Sequence, residues 1–130
     1  MERTQFKIEY ISKERDVLTI EAIEELQNIL YTESFEKVEK QLWKVLLLLE
    51  DETFQTAKGL EFFYKIKGNE IFISRKEKSV TRASVDMGLR KSIELQKDGV
   101  KINGRKMLKS FGASYLYPVF IKICIIKIEN

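Results

Sequence analysis

Glu61-Phe62-Phe63-Tyr64-Lys65-Ile66-Lys67-Gly68-Asn69-Glu70-Ile71-Phe72-Ile73-Ser74-Arg75 is the stretch that decides the fold. Two alternating runs meet at Gly68-Asn69. A glycine at the first central position of a two-residue loop supplies the positive φ that a type II′ hairpin turn needs. Folding there sets Lys67 opposite Glu70, Ile66 opposite Ile71 and Tyr64 opposite Ile73. Phe62, Tyr64, Ile66, Ile71 and Ile73 then share one face, and that face must be covered.

The expected cover lies N-terminal to the hairpin. Ser34 can cap a helix through Leu49 whose inner stripe is Phe35, Val38, Leu42, Val45, Leu46 and Leu49. Trp43, Leu47 and Leu48 fall off that stripe, so this helix is expected to sit centrally. An earlier helix, capped at Thr19 and running to about Tyr31, presents Ile20, Ile23, Leu26, Ile29 and Leu30 on one face. Phe6, Ile8 and Tyr10 alternate with polar neighbours as in a short strand.

C-terminal to the hairpin, Thr81 caps an expected helix over 82–96, closed by Asp98-Gly99, with Val85, Leu89 and Ile93 as its seam. Arg82, Asp86 and Arg90 recur every four residues on another face and read as surface ion pairs. Gly88 inside this helix weakens it. Arg105 to Phe111 reads as a short helix, and Ser114 as the cap of a last one containing Pro118. From Ile121 to Ile128 the isoleucines suit helix or strand equally. The fold class is α+β: one domain, residues 1–130, with helices packed on an antiparallel sheet that contains the hairpin.

Composition narrows the function. The chain has 130 residues, no histidine, one cysteine and one proline. Without histidine it lacks the commonest general base and metal ligand at neutral pH, and one cysteine makes neither a disulfide nor a zinc site. Cys124, flanked by isoleucines, reads as an inert core thiol. No phosphate-loop or dinucleotide glycine pattern occurs. Glu50-Asp51-Glu52 is the densest carboxylate run, read as a solvated helix end; the remaining catalytic alternative is metal-dependent nuclease chemistry. Neither enzyme activity nor a cofactor is expected. Met1 to Gln5 lack a signal-peptide pattern, and the apolar stretch from Tyr115 to Ile128 is too short to span a bilayer. The expected location is the cytoplasm, away from membranes.

Net charge is +3, unevenly spread. Residues 1–69 carry ten basic and fourteen acidic groups, net −4; residues 70–130 carry thirteen and six, net +7. A polyanion would therefore meet the C-terminal half. Phosphate contacts are expected from Arg75, Lys76, Lys78, Arg82, Lys101, Arg105, Lys106 and Lys109, with Ser114, Tyr115 and Tyr117 reaching bases or sugars. The alternative expectation is a protein-interaction or accessory protein, a homodimer being one form. It rests on the apolar surplus of Trp43, Leu47, Leu48 and the C-terminal isoleucines.

Three resemblances bear on this. Leu108-Lys109-Ser110-Phe111-Gly112-Ala113-Ser114 resembles the middle of a helix-turn-helix, in which a short helix, a glycine turn and a capped recognition helix follow in order. Leu108 and Pro118 depart from that pattern, and the alternative is a tight turn around Leu116, Val119, Phe120 and Ile123. Val80-Thr81-Arg82-Ala83-Ser84-Val85 is similar to the start of the recognition helix in winged-helix repressors, the alternative being an ordinary capped helix. Together, this segment and Phe111-Gly112-Ala113-Ser114-Tyr115-Leu116-Tyr117-Pro118-Val119-Phe120 resemble small uncharacterised bacterial proteins, some from mobile elements. That last resemblance implies a bacterial source and carries no implication for function.

Overall fold

The structure, a computed structural model, describes residues 16–128; the expected strand around Phe6, Ile8 and Tyr10 lies outside them. Helices α1 (Asp16–Ile29) and α2 (Phe35–Leu48) pack as neighbours, bridged where the Gln41 amide donates to the Ala22 carbonyl at 2.9 Å. Thr19 is not a cap. It lies fully buried inside α1, which is already helical at Asp16. Ser34 does cap α2, its hydroxyl accepting from the Lys37 amide at 3.3 Å.

The hairpin forms as its turn chemistry dictates. Strands β3 (Tyr64–Lys67) and β4 (Glu70–Ile73) pair with Lys67 opposite Glu70 and Tyr64 opposite Ile73, and Gly68 takes φ +58. Its inner face seats on the C-terminal end of α2, as the pattern required. The buried Tyr64 hydroxyl donates to the Leu46 carbonyl at 2.6 Å, and the Ile66 amide donates to Glu50 Oε2 at 2.7 Å. Phe62, Tyr64, Ile71 and Ile73 are buried there, each stabilising by about 1.5–3 kcal/mol. Strand β5 (Val80–Thr81) adds to the outer edge of β4. Phe62 belongs to a separate antiparallel pair, β1 (Phe54–Gln55) with β2 (Glu61–Phe62), and Phe54 stacks on both Phe62 and Tyr64.

Helix α3 (Arg82–Lys97) starts at Thr81, whose hydroxyl accepts from the Ser84 amide, and ends in a Schellman turn. Gly99 holds φ +75 while its amide and that of Val100 bond the carbonyls of Gln96 and Leu95. Gly88 is a close-approach site rather than a weak point, since a Cβ there would meet Ser110 Oγ at 3.0 Å. The Arg82–Asp86–Arg90 row departs from the expected surface ladder. Arg82 pairs across to Glu39 of α2, and Arg90 lies over the Phe35 ring at 3.8 Å.

A single 3-10 turn (Arg105–Leu108) leads to helix α4 (Ala113–Lys122). The expected cap at Ser114 is replaced by Gly112, whose φ of +81 starts the helix two residues earlier. Since the preceding element is one 3-10 turn, the helix-turn-helix alternative gives way to a tight turn around buried Leu116, Val119, Phe120 and Ile123. From Ile123 to Ile128 the chain is neither helix nor strand. Cys124 takes φ +67, and the Ile125 amide returns to the Phe120 carbonyl. Cys124 is half-buried rather than a core residue; a left-handed residue after the last helical turn is what turns the chain. Ile125 and Ile126 then close the core, held where the Gln96 amide donates to the Ile125 carbonyl at 2.7 Å and its Oε1 accepts from Lys127. Trp43 and Ile123 are buried too, which leaves Leu47 and Ile128 as the exposed members of the apolar surplus among the described residues, with Leu48 and Ile121 half-buried. No helix among the described residues is long and apolar enough to cross a membrane.

Candidate nucleic-acid interface

The 3-10 turn, the bend after it and the first turn of α4 enclose a concavity of about 450 Å³, lined by Arg105, Lys106, Lys109, Ser110, Phe111, Gly112, Ala113 and Ser114. The local sequence explains the shape. Leu108 is fully buried and anchors the 3-10 turn, so its neighbours Lys106 and Lys109 stay exposed. Lys109 takes a left-handed conformation (φ 49) and Gly112 another, which folds the chain back before α4 begins. Gly112 can be nothing larger, because a Cβ would lie 2.6 Å from Val80 Cγ2.

Two kinds of positive charge converge there. Arg105, Lys106 and Lys109 bring full charges. The N-terminus of α4 brings a partial one, since among the described residues no side chain caps it. Phe111 is 47% exposed in the same concavity, and the Lys76 ammonium sits 4.1 Å from its ring centroid. Lys76 is thereby tied to the site from the β4–β5 connection, where Arg75 and Lys78 are exposed.

The other expected contacts lie elsewhere. Arg82 is committed to Glu39, at 2.5 Å from Nε to Oε2 and 2.9 Å from Nη2 to Oε1, and lies over the Trp43 ring at 4.5 Å. Its Nη1 donates to the Asn69 side chain at 3.1 Å, so it clamps α2 and the hairpin turn to α3. Tyr115 meets Phe62 edge-on at 5.0 Å, and Tyr117 lines a different cleft. Lys101 lines a third hollow with Tyr31 and Gln96. Ser114 does reach the concavity, as a helical residue rather than a cap.

The Arg82 clamp has its own electrostatics. The hydrogen bond from Arg82 holds the Glu39 carboxyl below its ordinary range. Burial, then the neighbouring Glu39, pushes Asp86 up to about 6, and its Oδ1 is buried without a hydrogen-bond partner among the described residues. The acidic run 50–52 is divided rather than a solvated cluster. Glu50 caps the hairpin backbone, Asp51 meets Lys65 at 3.6 Å, and Glu52 is buried. Among the described residues no group of three carboxylate, cysteine or histidine side chains is placed to hold a metal ion.

Phe111 and the uncapped start of α4 complete this site and lie outside the expected set of contacts. The signal was present in Lys109-Ser110-Phe111-Gly112, an aromatic between a cation and a turn glycine. Comparison with protein-family models, with curated proteins and with solved structures finds no match for this chain.

Proposed function

We propose that the protein binds nucleic acid, with backbone phosphates seated in the concavity of Arg105, Lys106 and Lys109 and a base stacked on Phe111. The convergence of three cations on an uncapped helix N-terminus is the observation that carries this reading. The positive excess of residues 70–130 supports it, as does the ring of Phe111 beside Lys76. An exposed aromatic within a basic groove suits unpaired strands, where stacking contributes about 1–3 kcal/mol per base.

Fluorescence anisotropy with labelled single-stranded and duplex oligonucleotides tests it. R105E/K106E should abolish binding to both while the thermal melt stays unchanged. Phe111→Ala should weaken the single strand by roughly tenfold or more and leave the duplex nearly as it was. Unchanged binding in R105E/K106E would place any nucleic-acid site elsewhere.

A further inference from the structure

The opposite end of α4 carries a second opening, chemically unlike the first. A cleft of about 780 Å³ runs between β1 with its following loop and the C-terminal half of α4, within the size range of small-molecule sites. Its α4 side is mostly apolar, with Tyr117, Pro118 and Ile121 joined by Phe54 and Ile128, while Thr53, Gln55 and Thr56 line the strand-and-loop side. One cation, Lys122, lies among them. Its ammonium has neutral partners, the Thr53 carbonyl at 3.3 Å and the face of Phe54 at 4.8 Å from the centroid. Among the described residues no carboxylate reaches ion-pair distance of it.

We propose that this cleft binds a small amphipathic monocarboxylate, its head group on the Lys122 ammonium and its apolar tail along Phe54, Pro118, Ile121 and Ile128. A partly desolvated cation whose direct contacts are a carbonyl and a ring gains a charge-assisted hydrogen bond when a carboxylate arrives. Burial also holds the Lys122 pKa below its ordinary value, outweighing the opposing field of Glu52. Glu61 at the edge of the cleft, and the field of Glu52 upon Lys122, disfavour a polyanion here. One carboxylate on an apolar body fits; a phosphate chain belongs at the other end of the helix.

Octanoate is the probe, with methyl octanoate and 1-octanol as neutral counterparts of similar tail, titrated into the full chain by calorimetry. Octanoate should bind saturably and at least tenfold tighter than either neutral molecule, a comparison that needs no variant. Two-dimensional NMR should show shifts at Phe54 and Tyr117. Lys122→Met keeps the aliphatic stem and should lower octanoate affinity tenfold or more while leaving octanol unchanged; Lys122→Arg should retain octanoate. No saturable octanoate binding, equal affinity for octanol, or an unaffected Lys122→Met protein would each overturn the proposal.

Discussion

Gly112→Ala should be costly out of proportion to one methyl group, for two separable reasons. Gly112 holds φ +81, and an L-residue in that left-handed region loses about 1–2 kcal/mol. The new Cβ would also lie 2.6 Å from Val80 Cγ2 and 3.2 Å from Cγ1, within a wall where Val80 is fully buried. Overpacking of that kind costs about 1–3 kcal/mol, so the sum is about 2–5 kcal/mol. That is a large part of the roughly 5–15 kcal/mol that holds a domain folded. Urea unfolding followed by tryptophan fluorescence and circular dichroism reads it as a lowered midpoint with unchanged slope. Val80→Ala removes both crowding atoms. In the double variant the steric part should vanish and the left-handed part persist, giving a coupling of about 1–3 kcal/mol. A Gly112→Ala protein within about 0.5 kcal/mol of wild type, or a strictly additive double variant, would refute the reasoning.

Two other perturbations probe the frame around the site. Asp86 binds its proton more tightly in the folded protein (about 6) than at its ordinary 3.8, so its contribution is fully present below that lower value and is lost as pH rises through 6. Asp86→Asn should therefore stabilise at pH 7.5 by about 1 kcal/mol, allowing for partial solvent screening, and do nothing at pH 3.5; urea midpoints at the two values check this. Tyr64→Phe removes the buried hydroxyl that donates to Leu46 and should cost about 1 kcal/mol in the same assay, with the hairpin register intact by NMR.

How much was legible depended on whether the deciding physics was local. Gly68-Asn69, Ser34 and Thr81 act within three residues of themselves, so turn and cap chemistry located the hairpin and the starts of α2 and α3. Ser114 failed as a cap because Gly112 is selected by Val80, a neighbour distant in sequence. The spacing of Arg82, Asp86 and Arg90 showed that they share a face without showing that Glu39 and Phe35 lie opposite. The isoleucine run was ambiguous because its outcome is set by the left-handed turn at Cys124, which no propensity announces. At the site, the density of Arg105, Lys106 and Lys109 was plain from charge. Tyr115 and Tyr117 lie away from the concavity because helical phase turns one to Phe62 and the other to the apolar cleft. That cleft was invisible, since it exists only once β1 meets α4.

The most direct measurement is the salt dependence of oligonucleotide binding by the wild-type protein. Three phosphates neutralised by Arg105, Lys106 and Lys109 give an expected slope of log K against log salt of about −2 to −3. Replacing Lys106 alone should reduce that slope by about 1. No binding at low salt, or binding whose slope is indifferent to Lys106, would contradict the assignment of the concavity.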